Sequence, residues 1–220
     1  KDPSQGRGQR MVAVVSAAVH VGKLRQRSSS TMATNDRMPP IRSDKLTAEQ
    51  TQAAAEFETG RGHAVSGPFA VMLRSPEVML RAKAMGDYLR FRNVLPKRVS
   101  EMVILVTARQ WTQQFEWSHH YKYAMEAGLS KDIAEAIAEG RRPERMAEDE
   151  AAAYDFSIEL HRHRCVSDAT YARALALFGE QGIIDLTGVN GYYSLLAMMM
   201  NVARTPCDTE DVKPLAPFPN

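Results

Sequence analysis

Three side chains that can transfer protons lie in one stretch of the chain that is otherwise rich in apolar residues. Glu101 comes first, Glu116 follows fifteen positions later, and His120 lies four positions after Glu116. A carboxyl group in a partly apolar pocket resists ionisation, and an imidazole beside it can hold or pass a proton near neutral pH. Such groups suit general acid–base catalysis, which contributes about 10²–10⁴ in rate. The residues alone leave open an exposed Glu–His pair that stabilises a helix by about 0.2–0.5 kcal/mol.

The segment 96–128 has to position these groups. On one continuous helix, steps of three or four residues would place Glu101, Glu116 and His120 near one side. The apolar period falters at residues 112–114, which predicts a break there. A break would let Glu101 on the first helix face the other two groups on the second. The aromatic residues that flank the group, and that should exclude water, are Trp111, Phe115, Trp117 and Tyr121.

Start and stop signals divide the rest of the chain into helices. Thr47 and Gln50 form a capping box that predicts a helix ending near Gly60. Further helices are predicted over 76–93, 131–139, 146–164, 169–178 and 182–204, the last bent at Gly188 or Gly191. Because no segment has a convincing strand pattern, the sequence predicts an all-α fold of about seven or eight helices.

A weak internal repeat relates the central stretch to the last apolar helix. A shift of eighty residues aligns 104–108 with 184–188, and each copy follows a helix and a short loop. In this register the second copy carries Gln181, Leu196 and Met200 in place of the acid–base residues. A degenerate repeat and a chance match of two apolar helices are equally good interpretations.

The composition suits one globular domain with a tail at each end. The chain has 220 residues, of which 44% are hydrophobic and 25% charged. We predict a basic, poorly structured tail over 1–38, a helical domain over 39–206 and an extended Pro-rich tail over 207–220. Residues 1–31 hold six Lys/Arg and one Asp, so the remainder is net negative although the whole chain is +2. This charge distribution predicts no nucleic-acid partner.

The sequence also limits the cellular compartment. No apolar run reaches the about 18 residues that a membrane helix needs, so we expect no membrane partner. Cys165 and Cys207 are the only cysteines, and they form no C-x-x-C motif, which favours a reducing, cytoplasmic location. Residues 11–22 form a short apolar run between basic residues. We favour an upstream extension ahead of Met32 over a transit or signal sequence.

Two segments of the chain resemble a known family. GPFAVMLRSPEVMLRA (67–82) and LPKRVSEMVILVTARQWTQQFEWSHHYKYAMEAGL (95–129) are similar to the carboxymuconolactone decarboxylase family, which includes the alkylhydroperoxidase D-like proteins. The resemblance covers about 39–206. It implies the all-helical fold of that family, a homo-oligomer (trimer or hexamer) and catalysis without a cofactor.

The resemblance also separates two branches of that family. The peroxidase branch carries a Glu, a C-x-x-C pair and a His. Glu101 and His120 match the Glu and the His, whereas Gln113 and Glu116 occupy the positions of the two cysteines. Peroxide reduction by a thiol pair is therefore excluded. The decarboxylase-type branch is implied instead, with Glu101, Glu116 and His120 as its catalytic residues.

The expected substrate is a small carboxylated lactone from the catabolism of aromatic compounds. Loss of CO₂ leaves negative charge that must be delocalised and then protonated, and an arginine can bind a carboxylate with two hydrogen bonds. We predict Arg109, Arg74, Gln113 and Trp117 as substrate-binding residues. The alternatives are a non-catalytic, oligomeric small-molecule-binding protein and a peroxidase-branch relative without thiol chemistry.

No metal or other cofactor is predicted. Glu101, Glu116 and His120 are acceptable ligands for a divalent cation, but the second Glu-x-x-His copy of a di-iron bundle is missing. His161 and His163 are two residues apart, so on a helix their side chains point in different directions.

Overall fold

A computed structural model describes residues 36–207 and 211–217. Most of the predicted basic tail, up to position 35, lies outside the described residues, as do positions 208–210 and 218–220 of the predicted C-terminal tail. The described residues form helices and no strand, which confirms the predicted all-α class. None of their helices is long and apolar enough to cross a membrane.

The helices begin and end close to the signals in the sequence. A short 3₁₀ turn, Ser43–Lys45, comes first. The α-helices that follow are α1 (Ala48–Arg61), α2 (Pro68–Met72), α3 (Pro76–Phe91), α4 (Lys97–Gln110), α5 (Gln114–Glu126), α6 (Lys131–Ala138), α7 (Glu148–His163) and α8 (Asp168–Ala203). The predicted capping box ahead of α1 is present: the Gln50 amide donates to Thr47 Oγ1 at 3.2 Å, and the Thr47 amide donates to Gln50 Oε1 at 3.0 Å.

The last helix, α8, is interrupted, but not where a bend was predicted. Gly179 has φ 68° and ψ 177°, which separates the two helices predicted over 169–178 and 182–204. The predicted bend at Gly188 or Gly191 is wrong, because both residues keep helical backbone angles. Gly188 instead allows close packing, since a Cβ atom there would lie 3.0 Å from Cδ2 of Leu89 on α3.

Helix α4 lies at the centre of the fold. Every residue from Val99 to Arg109 is buried, and α4 contacts α5, α6, α7 and α8. On the outer side, α2 and α3 pack on α8, and α1 packs on α3. Polar groups on α4 therefore depend on partners from other elements. The two segments that the suggested repeat relates lie in α4 and α8, which pack together, and the repeat stays a hypothesis.

The described part of the C-terminal tail, residues 211–217, has no helix and lies against α4 and α5. Leu215 is buried. Its amide donates to Gln114 Oε1 at 2.8 Å, and its carbonyl accepts from Gln114 Nε2 at 2.8 Å. This segment therefore contributes to the environment of the junction between α4 and α5.

Candidate active site

The predicted break in the central stretch is present. Helix α4 ends at Gln110 and α5 begins at Gln114. Thr112 between them has φ 46°, a left-handed conformation that is uncommon for a β-branched residue. The Gln113 side chain then caps α5, because its Oε1 accepts from the Phe115 amide at 2.7 Å. The chain turns back here, so α5 packs along α4.

This turn brings Glu101 on α4 to His120 on α5. Glu101 is fully buried. Its Oε2 lies 2.7 Å from His120 Nδ1, and its Oε1 lies 2.7 Å from Lys97 Nζ. Burial acts to raise the pKa of Glu101, but the hydrogen bonds and charges of His120 and Lys97 outweigh burial and lower the pKa to about 2. Glu101 is therefore ionised and can only accept hydrogen bonds.

The charge state of Glu101 fixes the proton on His120. Burial lowers the pKa of His120 below its ordinary value, although the carboxylate of Glu101 acts in the opposite direction. The imidazole is therefore neutral at neutral pH. Since an ionised carboxylate accepts, the Nδ1–H of His120 donates to Glu101, and Nε2 carries the free lone pair.

Glu116 is in the opposite state. Its side chain is 3% exposed, and neither carboxyl oxygen has a hydrogen-bond partner among residues 36–207 and 211–217. Burial raises the pKa of Glu116 well above 4.5. The carboxyl group is therefore protonated at neutral pH and can donate a proton.

Glu116 and His120 line the same cavity, which has a volume of about 150 Å³. The walls are aromatic and basic. They include Arg61, His63, Phe69, Arg90, Phe115, His119, Tyr123, Tyr192, Tyr193 and Leu196. An apolar cavity of roughly 150 Å³ takes a molecule of the size of benzene. The space suits a ligand with a single ring.

Comparison with known proteins assigns this part of the chain. Residues 76–156 match the model of the carboxymuconolactone decarboxylase family. The match covers 81 of the 220 residues and supports the predicted resemblance to that family. The matched residues run from the start of α3 into α7 and include Glu101, Glu116 and His120. Among curated proteins, no significant match was found.

Solved structures show the same fold. A peroxidase-related protein from Ralstonia eutropha with an alkylhydroperoxidase AhpD core aligns with a TM-score of 0.58 at 16% identity, over 80% of this chain and 93% of that one. The debrominase Bmp8 C82A in complex with 2,3,4-tribromopyrrole aligns with a TM-score of 0.61 at 11% identity, over 79% of this chain and 92% of that one. A protein of unknown function from Agrobacterium tumefaciens aligns with a TM-score of 0.55 at 16% identity, over 63% of this chain and 96% of that one. These likenesses confirm the predicted AhpD-like helical fold.

The four residues predicted to bind substrate do not line this cavity. Arg109 is buried and donates to a backbone carbonyl in the C-terminal segment at 2.6 Å. Arg74 is exposed and donates to a backbone carbonyl ahead of α1 at 2.7 Å. Gln113 caps α5, and Trp117 packs in the core. The structure therefore brings together the three predicted catalytic residues, but none of the four predicted substrate-binding residues lines the cavity.

Other residues, not selected from the sequence, form the polar part of the cavity wall. Arg90 comes from the last turn of α3, and His119 and Tyr123 lie one turn apart on α5. Burial, the neighbouring His120 and the charge of Arg90 lower the pKa of His119 to about 3. The spacing of His119, His120 and Tyr123 is a local signal that could have identified one wall. No local signal places Arg90 on α3 against α5.

Proposed function

We propose that the cavity is the active site of a cofactor-independent carboxy-lyase that removes CO₂ from a small carboxylated lactone by proton transfer. The observation that carries this proposal is the carboxyl group of Glu116, which is buried, has no hydrogen-bond partner among the described residues and faces a cavity. A protonated carboxyl in such a position is a general acid held ready for a ligand. The match of residues 76–156 to the carboxymuconolactone decarboxylase family supports the reaction class.

The reaction needs one proton for each CO₂ released. When the bond between the ring carbon and the carboxylate breaks, its electron pair moves into the conjugated lactone carbonyl. Glu116 then donates its proton to carbon and is left ionised. His120 can take a proton at Nε2, and the carboxylate of Glu101, 2.7 Å from Nδ1, stabilises the imidazolium that forms. The pair can thereby return a proton from solvent to Glu116.

The described residues offer the cavity no thiol pair for peroxide reduction. Gln113 caps α5, and Glu116 lines the cavity, at the positions where the peroxidase branch has cysteines. Cys165 and Cys207 are exposed, and neither lines the cavity. A ligand-binding protein without activity stays the second candidate, because it would use the same cavity.

Turnover of carboxymuconolactone and related carboxylated lactones tests the proposal. We expect CO₂ release with uptake of one proton, and a loss of at least about 100-fold in kcat for Glu116→Gln and for His120→Ala. The matched controls Glu126→Gln on α5 and His163→Ala at the end of α7 change the same residue types at exposed positions and should keep wild-type turnover.

Two results would contradict the proposal. Wild-type turnover in both cavity variants would remove Glu116 and His120 from the mechanism. Tight binding of a lactone without CO₂ release by the wild type would favour the binding protein.

We also propose that the protein is a homo-oligomer, a trimer or a hexamer, and light scattering can measure its mass in solution. A cytoplasmic location is proposed as well.

A further inference from the structure

The two arginines that line the cavity differ in how their charges are balanced. Arg61 Nη2 lies 2.8 Å from Asp87 Oδ1, and its side chain is 10% exposed. Lys83 Nζ lies 2.9 Å from Oδ2 of the same carboxylate. Arg90 lies over the ring of Tyr123, with 4.8 Å between the guanidinium carbon and the ring centroid. No carboxylate among residues 36–207 and 211–217 forms an ion pair with Arg90. Arg90 is therefore a cation without an opposite charge in the described part of the chain.

Arg61 and Glu101 each have a partner of opposite charge already. Glu101 is ionised, but the ammonium of Lys97 lies 2.7 Å away. His119 and His120 are neutral, and Glu116 is protonated, as shown above. Of the two arginines that line the cavity, Arg90 is therefore the one without an ion pair to a described residue.

Both the backbone and the side chain of Arg90 have contacts in the structure, the guanidinium with the rings of Phe91 and Tyr123. The Arg90 carbonyl accepts from Lys97 Nζ at 3.1 Å, so the same ammonium fixes the end of α3 and the carboxylate of Glu101. The ring of Tyr123 supports one face of the guanidinium, which leaves its N–H edge for hydrogen bonds. A half-buried guanidinium with a free edge is suited to a carboxylate, which it can bind through two parallel hydrogen bonds.

We propose that Arg90 is the carboxylate-binding residue of this cavity, and that the cavity pairs only one carboxylate of a single-ring ligand. This inference rests on the proposed function for the role of the cavity as an active site. It replaces Arg109 and Arg74, the two predicted substrate-binding arginines, by Arg90 on α3.

A second carboxylate would have to compete with Asp87 for Arg61, and most of the remaining wall offers it no ion pair. Phe115, Tyr192, Tyr193 and Leu196 are aromatic or aliphatic, and Glu116 is a neutral acid. A carboxylate placed against these groups loses hydration without gaining an ion pair. Loss of CO₂ removes that charge, so an unpaired carboxylate is the one that leaves. The carboxylate bound by Arg90 stays on the product.

Binding of small furans to the full chain tests this inference without any turnover. The probes are furan-2-carboxylate, its uncharged carboxamide and furan-2,5-dicarboxylate, each titrated by isothermal calorimetry. The wild type should bind the monocarboxylate at least tenfold more tightly than the carboxamide. The dicarboxylate should bind no more tightly than the monocarboxylate.

Variants of α3 identify the residue responsible. Arg90→Gln should abolish the preference for the carboxylate, and Arg90→Lys should retain part of it, because an ammonium keeps the charge but loses the two-pronged geometry. Arg92→Gln is the matched control. Arg92 is exposed two residues further on, its guanidinium lies over Tyr88, and it does not line the cavity. This control should keep the full preference. Melting curves of the variants show that each is folded.

The inference is overturned if the wild type does not distinguish the carboxylate from the carboxamide. It is also overturned if a folded Arg90→Gln variant keeps the preference, or if the dicarboxylate binds tenfold more tightly than the monocarboxylate. None of these results depends on catalysis. Conversely, a carboxylate preference without CO₂ release from any lactone would contradict the proposed reaction and leave the role of Arg90 intact.

Discussion

Replacing Glu116 by glutamine should remove a loss of stability that the wild type shows as the pH rises, while it abolishes turnover. Burial raises the pKa of Glu116 well above its ordinary 4.5 in the folded state. Because the folded state holds this proton more tightly than the unfolded chain, the stability it contributes is complete below about 4.5 and is lost as the pH rises through the folded pKa. Within that window the wild type loses about 1.4 kcal/mol per pH unit. Glutamine does not titrate, so the variant avoids this loss.

Urea unfolding at pH 5, 6 and 7 measures the effect. The free energy of unfolding of Glu116→Gln relative to wild type should rise from pH 5 towards pH 7, by at most about 1.4 kcal/mol per pH unit. Glu126→Gln, at an exposed position of the same helix, should show a constant difference from wild type. The reasoning is refuted if the difference for Glu116→Gln is also constant with pH, since the carboxyl group would then be ionised in the folded protein.

Three further substitutions have defined outcomes. The pKa of Glu101, about 2 instead of 4.5, corresponds to about 3 kcal/mol of stability that is present above pH 4.5 and lost as the pH falls through about 2. Glu101→Gln should therefore lower the free energy of unfolding by about that amount at pH 8, and an unchanged urea midpoint would contradict it. Arg109→Gln removes the donor to the Ala216 carbonyl and should cost about 1–3 kcal/mol. Calorimetry should show its affinity for furan-2-carboxylate unchanged, whereas a tenfold loss would restore Arg109 as a ligand-binding residue. Gly86→Ala would place a Cβ atom 2.2 Å from the Tyr192 hydroxyl oxygen, so the ring must move. The affinity for furan-2-carboxylate should then fall about tenfold, which corresponds to about 1.4 kcal/mol of binding free energy. Equal affinity would show that the Tyr192 ring is not part of the binding wall.

The helices and the break between α4 and α5 could be predicted because their signals are local. The capping box of Thr47 and Gln50 marks the start of α1 within four residues of sequence. The loss of the apolar period at residues 112–114 marks the break in the same way. Once the break is known, Glu101 and His120 can meet, because two packed helices joined by a tight turn bring such positions together.

The cavity wall could not be predicted in the same way, because it depends on how separate helices pack. The prediction of Arg109 as a substrate-binding residue rests on its closeness in sequence to the acid–base group. It lies eight residues after Glu101, which at roughly 100° per residue places it about 80° further round α4, and its side chain reaches the C-terminal segment instead. Arg90 is eleven residues before Glu101 on another helix. Its place over Tyr123 depends on how α3 packs against the site, and this packing cannot be predicted from the spacing of residues in the sequence.

The two glutamates of the site show that partners, rather than residue type or burial, set the charge state. Both carboxyl groups are almost completely buried, and burial acts to raise the pKa of each. Glu101 has an imidazole and an ammonium within 2.7 Å, so it is ionised. Glu116 has no partner among the described residues, so it keeps its proton. A fixed anion that orients a histidine and a neutral acid that faces the cavity are the two states that proton transfer to a ligand requires. The fold produces both by turning α5 back on α4 so that His120 meets Glu101 and leaves Glu116 to the cavity.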